Sequence, residues 1–257
     1  MSQVLEARAP LDLRWLRVAG GALVILVLVH EVGAEPLVDG LRATSPWAVL
    51  AALVLTAGTT WCCAVRWSLV SARLGSAVPA LAAYKAYYRS QLINATLPGG
   101  VVGDVQRSLR HGWRGVLLER GIGQVVQVGL VGALLLPGGW RWPGLGAVLL
   151  VVLLGGSAAV LSALSTTGHL LVFLLAAASV GVDLPLSTLV TVGALVLLGS
   201  SIPLNVAGWG PREGVAVGAF TAYGASATTG LTVAVTFGVL ATIAVLPGLV
   251  FLGARRD

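Results

Sequence analysis

The sequence predicts an all-α polytopic membrane protein: six transmembrane crossings and two re-entrant helical hairpins, arranged as an inverted repeat. Three observations lead there. The 257 residues are 57% apolar and only 10% charged, with a mean hydropathy of +0.93, whereas a soluble domain carries about 25% charged residues. Apolar stretches recur along the whole chain, too many for a single anchor or a signal peptide. Two Pro/Gly breaks, Asn94 to Arg114 and Ser201 to Glu213, lie about a hundred residues apart and carry much of the interior charge.

Met1 to Arg17 is of mixed charge and lacks a small-residue cleavage site, so it is expected to stay as an interfacial lead-in. Val18 to Val29, extended by Trp15 and Leu16, is the first span, at about 20 residues per crossing. The next loop carries Glu31, Glu35 and Asp39 against Arg42 and reads as non-cytoplasmic. Trp47 to Val65 is the second span, with Trp47, Trp61 and Trp67 as belt residues, and Arg66 and Arg73 return the chain to the cytoplasm.

Pro79 to Leu97 is no clean span. Lys85 and Arg89, and Tyr84 and Tyr88, stand at i, i+4 and give a basic aromatic face. Such a helix either lies in the interface or enters the membrane, breaks at Pro98-Gly99-Gly100 and returns as Val101 to Arg114. Re-entry is favoured, because a second break of similar build follows. On the return leg Asp104, Arg107, His111 and Arg114 share one face.

Gly121 to Pro137 is the next span, followed by an outer turn with Trp140 and Trp142. Pro143 to Leu164 comes back, Ser165 to Gly168 reads as a tight inner turn, and His169 to Val182 goes out again. Leu184 to Ile202 stops at Pro203. Asn205, Gly208, Gly210 and Pro211 are non-helical in type, and Arg212-Glu213 opens a short segment to Tyr223. Ala227 to Leu252 is the last span, before Arg255 and Arg256.

Parity selects the layout. One full span over 184–223 would put Arg255 and Arg256 outside, and two would place Arg212 and Glu213 midway through about 40 apolar positions. A re-entrant hairpin satisfies both length and charge. The halves, 1–138 and 140–257, then have opposite orientation, the build of a secondary transporter with its substrate site at the repeat interface. Both termini are expected in the cytoplasm and the protein in the inner cell membrane.

The net charge of +6 does not point to nucleic acid. Thirteen of the sixteen Lys and Arg fall in Arg8–Arg17, Arg66–Arg120 and Arg255–Arg256, clusters that the positive-inside rule explains. Cys62 and Cys63 are neighbours in one helix and cannot easily bridge. His30, His111 and His169 lack metal-ligand spacing, so no metal and no cofactor is expected. No nucleophile motif, Walker loop or HExxH occurs, so no catalytic residue is assigned.

Ionisable residues within membrane segments default to function. The first break offers Asp104, Arg107 and Arg89; the second offers Arg212 and Glu213. Glycine-rich turns leave N–H groups free at the next helix start, which suits an anion such as phosphate. Arg107 and Arg212 can grip phosphate oxygens in bidentate fashion, with Asp104 and Glu213 orienting them or carrying a coupling proton. The alternative is that each acid–arginine pair only locks its hairpin.

The residues Asn94-Ala-Thr-Leu-Pro-Gly-Gly-Val-Val-Gly-Asp-Val-Gln-Arg107, Leu118-Glu-Arg120 and Ile202-Pro-Leu-Asn-Val-Ala-Gly-Trp-Gly-Pro-Arg-Glu213 resemble the three signatures of the lysylphosphatidylglycerol synthase transmembrane, or flippase-like, family. The resemblance runs over nearly the whole chain. It implies the translocating part of a lipid flippase, without the aminoacyl-transferase domain that some members carry. Asn205, Ala207 and Pro211 depart from the residues common in the third signature. On this basis the expected substrate-binding set is Arg89, Asn94, Pro98, Gly99, Gly100, Gly103, Asp104, Arg107, Glu119, Arg120, Asn205, Gly208, Gly210, Arg212 and Glu213.

The function expected is movement between leaflets of an anionic phospholipid or a polyprenyl-phosphate-linked lipid. The rival is a membrane partner subunit for a lipid-modifying or glycosyl-transfer enzyme. An intramembrane transferase using Asp104 and Glu213 is a third reading. The sequence leaves the oligomeric state open.

Overall fold

The computed structural model of the protein describes Leu26, His30 and residues 35–97, 100–203 and 209–252. These form ten helices: α1 (Glu35–Arg42), α2 (Pro46–Arg73), α3 (Ala80–Thr96), α4 (Val102–His111), α5 (Trp113–Leu135), α6 (Arg141–Leu154), α7 (Gly156–Val180), α8 (Leu186–Ser200), α9 (Pro211–Ala222) and α10 (Ala227–Val245). Two 3-10 turns, Gly138–Trp140 and Leu246–Phe251, join or extend them. Four helical stretches among the described residues are long and apolar enough to cross a membrane: Pro46–Arg73, Trp113–Leu135, Gly156–Val180 and Ala227–Phe251.

Local chemistry sets the helix ends. Ser45 caps α2 by accepting from the Ala48 N–H at 3.2 Å, and Pro46 takes the first turn, where a missing N–H is harmless. Ser226 caps α10 through the Thr229 N–H at 3.0 Å. Gly112, at φ 92°, separates α4 from α5, and Gly181, at φ 75°, ends α7 in the left-handed conformation.

α2 packs along α7 at the centre. Around that pair most of the remaining helix contacts match when α2, α3, α4 and α5 are set against α7, α8, α9 and α10. The contacts α2–α3, α2–α5, α3–α4, α4–α5, α5–α7 and α5–α8 have the counterparts α7–α8, α7–α10, α8–α9, α9–α10, α10–α2 and α10–α3. The α6–α5 contact likewise has the counterpart α1–α10. The main core lies among α2, α7, α8, α9 and α10, where the Phe173 ring sits 5.9 Å from Phe237 and 6.5 Å from Phe220.

Small residues let the backbones approach. A Cβ on Gly168 would land on the Thr59 side chain, and one on Gly193 would meet Phe173 Cδ1 at 2.5 Å. Gly103 is the tightest case. It faces the Ser90 backbone, where a Cβ would land on the carbonyl oxygen, and its N–H donates to Asn94 Oδ1 at 2.7 Å. Gly103→Ala must push α4 off α3. Overpacking of this kind costs about 1–3 kcal/mol, so the thermal midpoint in detergent should fall by several degrees; an unchanged midpoint would mean that the hairpin is not closely packed.

Several expectations are corrected. The second span does not end at Val65: its helix runs on to Arg73, and Arg66 is buried inside it. Arg114 does not share the face of Asp104 and Arg107, because Gly112 breaks the helix and Arg114 opens α5. Ser165 to Gly168 is no turn but the middle of α7. The Ser165 hydroxyl lies 3.1 Å from Cys63 Sγ on α2, and Gly168 serves packing against Thr59 rather than chain reversal. The break falls instead at Gly155–Gly156, with Gly156 at φ 69°.

Candidate functional site

A buried polar network joins five helices. Glu119, fully buried on α5, accepts from Arg66 Nε at 3.2 Å, Arg66 Nη2 at 2.7 Å, Arg107 Nη2 at 2.9 Å and the Tyr87 hydroxyl at 3.0 Å. Asp104 accepts from Arg107 Nη2 at 3.0 Å, Ser90 Oγ at 3.1 Å and Asn94 Nδ2 at 2.8 Å, and it is ion-paired with Arg120. Arg66 Nη1 also donates to Ser162 on α7 at 2.8 Å. Three arginines meet two carboxylates, so the network carries a formal charge of 3 − 2 = +1.

The arginines are not equivalent. Arg107 is sealed in, 1% exposed, with its guanidinium 4.1 Å from the Tyr87 ring centroid and 4.6 Å from that of Trp67. Cation–π contact of this kind suits a desolvated guanidinium. Arg120 has a side chain 41% exposed, so it holds Asp104 while part of its guanidinium stays accessible; its Nε is buried.

The second break builds a smaller unit. Gly210, at φ 132°, donates its N–H to Glu213 Oε2 at 2.7 Å, a capping arrangement that starts α9. Arg212 Nε donates to Glu213 Oε1 at 2.8 Å. The Arg212 guanidinium lies 5.0 Å from the ring centroid of Trp209 and 5.5 Å from that of Phe237. Gly238 leaves the room, since a Cβ there would land on the guanidinium.

Between these units lies a cavity of about 340 Å³. Arg66 of α2, Arg120 of α5 and Arg212 of α9 line it, with Gln91, Gln124, Gln127, Ser162, Ser165, Thr166, His169, Ser200 and Ser201. Among the described residues no carboxylate lines it. Glu119, Asp104 and Glu213 stand behind the arginines they hold. Ligand pockets span about 300–1,000 Å³, so this space is the size of a small ligand. Among the described residues no three His, Cys, Asp or Glu side chains gather as a metal-binding group.

The model of the lysylphosphatidylglycerol synthase transmembrane region matches residues 14–167. The chain belongs to this family. The matched stretch includes Asn94 to Arg107 and Leu118 to Arg120, and with them the whole buried network from Arg66 to Ser162; the third signature, Ile202 to Glu213, lies beyond it. Comparison with curated proteins gives no match.

Of the residues expected at the site, Asn94, Gly103, Asp104, Arg107, Glu119 and Arg120 come together in the network, and Gly210, Arg212 and Glu213 form the second unit. Gly100, at φ 60°, stands at the first break. Pro98, Gly99, Asn205 and Gly208 lie outside the described residues. Arg89 is not beside Asp104 and Arg107. It points into a separate groove with Lys85 and Arg110, because its position on α3 turns away from Ser90 and Asn94, which face α4.

Sequence reasoning missed Arg66, Tyr87, Ser90 and Ser162. Arg66 lies 20 residues after Pro46, where one bilayer crossing is expected to end, so it reads as a boundary charge. The signal that could have found it is the continued apolar run Trp67-Ser-Leu-Val-Ser-Ala before the next arginine, Arg73.

Proposed function

We propose that this protein moves a lipid with an anionic, phosphate-bearing headgroup between the leaflets of the cell membrane. The observation that carries the reading is the cavity into which Arg66, Arg120 and Arg212 project with no carboxylate among the described lining residues. Guanidinium forks match phosphate oxygens, and the glutamines and hydroxyls can bind the rest of a headgroup. The hydrocarbon chains would stay in the bilayer while the headgroup passes.

The layout proposed is six crossings with two re-entrant hairpins, α3–α4 and α8–α9, and both termini in the cytoplasm. Helix length supports it. At 1.5 Å per residue α4 is about 15 Å long and α9 about 18 Å, against a hydrocarbon core of about 30 Å. The matched packing pairs support the division into halves 1–138 and 140–257.

The test is leaflet-resolved. Liposomes carrying the purified protein and a fluorescent phosphatidylglycerol are treated with a membrane-impermeant quencher. Signal protected in protein-free vesicles should become quenchable, and a phosphatidylcholine analogue should respond less. Equal protection with and without protein would sink the reading and favour a partner subunit of a lipid-modifying enzyme.

A further inference from the structure

A second basic site lies apart from the central cavity. α3, α4 and the Leu246–Phe251 turn enclose a groove of about 1300 Å³. Lys85 and Arg89 enter it from α3, one helical turn apart, and Arg110 enters from α4. Among the described residues none of the three has an ion pair and no carboxylate lines the groove. Arg89 and Arg110 stand close enough to repel one another. Two short helices thus gather three cations without neutralising them, while every acid of the neighbouring network is already committed to Arg66, Arg107 or Arg120.

The walls are hydrocarbon. Leu81 is 60% and Leu109 84% exposed, and Phe251 leans on Tyr88 with ring centroids 6.2 Å apart. A free inorganic anion would use the charges and leave these walls idle. An anion joined to an acyl chain uses both. We propose that this groove holds the headgroup of an anionic phospholipid of the surrounding leaflet, its chain lying along Leu81 and Leu109. Basic residues at a membrane surface attract anionic lipid, and three of them in one groove favour an anionic over a zwitterionic headgroup by on the order of tenfold or more. The assignment stands on the groove's own charges and does not need the central cavity to translocate.

The experiment uses the full chain in phosphatidylcholine nanodiscs with a photoreactive phosphatidylglycerol, its diazirine at the top of one acyl chain. Crosslinks mapped by mass spectrometry should fall on 81–93 and 106–111. In the R89Q/R110Q variant these crosslinks should drop about tenfold, while those at the central cavity persist. Arg110 is exposed, so Arg110→Glu alone serves as a variant that leaves folding intact, and it should lose most of the same labelling. Undiminished labelling in both variants, or equal labelling by a photoreactive phosphatidylcholine, would overturn the proposal. Labelling that follows the arginines in a protein that moves no lipid would uphold this site and refute translocation.

Discussion

Glu119→Ala should be the most damaging single substitution for stability. The carboxylate is fully buried and receives two arginines and a tyrosine hydroxyl. Its loss raises the formal charge of the network from +1 to +2 and strands guanidinium groups away from water. Breaking a buried pair by removing one partner costs about 3–5 kcal/mol. For a chain of this size that is a fall in thermal midpoint on the order of ten degrees. Glu119→Gln should also destabilise, because an amide NH2 would face an arginine donor. Asp39→Ala is the control. Its ion pair with Arg42 spans 3.9 Å between side chains 58% and 78% exposed, and such pairs are worth about 0–1 kcal/mol. A Glu119→Ala midpoint as close to wild type as that of Asp39→Ala would show that the network does not hold the bundle together.

Arg120→Ala and Arg212→Ala should abolish lipid movement. Both line the cavity. Truncating one partner of a buried, hydrogen-bonded charge pair costs about 2–5 kcal/mol in binding, and 3 kcal/mol is more than a hundredfold at 1.4 kcal/mol per decade. Arg120→Ala is the cleaner variant for folding, since Asp104 keeps Asn94, Ser90 and Arg107. Arg212→Ala leaves Glu213 with only the Gly210 N–H, so it also lowers stability. Lysine at either position keeps the charge without the planar fork and should restore part of the rate. Arg107→Ala should behave differently, losing stability first, because Arg107 is sealed beneath Trp67 and Tyr87 and does not line the cavity. Wild-type lipid movement in stable Arg120→Ala and Arg212→Ala proteins would remove phosphate binding from the cavity.

The helical class was legible in the sequence because apolar runs and their breaks are local properties. So were the helix ends on either side of the two Pro/Gly breaks, at Thr96 and Val102 and at Ser200 and Pro211. The Asp104–Arg107 and Arg212–Glu213 pairs were also legible, being three and one residues apart. What was not legible depends on distance along the chain. Arg66 meets Glu119 across 53 residues and Ser162 across 96, and nothing near Arg66 announces either partner. Ser165-Thr-Thr-Gly168 misled for a related reason. Its composition is that of a turn, but its glycine answers to Thr59 on another helix. The separation of Arg89 from Asp104 required knowing which face of α3 meets α4. That face is set by Ser90 and Asn94 together with the glycine contact at Gly103.

The reach of Arg66 also bears on how the protein is made. Helix α2 must enter the bilayer carrying an arginine whose acid partner has not been synthesised. Arg66 stands toward the C-terminal end of the 28-residue α2, so its insertion penalty is smaller than the about 2.5–3.5 kcal/mol of an arginine at a helix centre, and the apolar remainder of α2 is rich enough to offset it. The ribosome then adds 53 residues before Glu119 emerges, and the Ser162 hydroxyl comes later still. Until then the guanidinium must stay near water or beside the insertion machinery. Biogenesis of the first half therefore waits on α5, and its final seating waits on α7, so assembly is ordered by one side chain's successive partners.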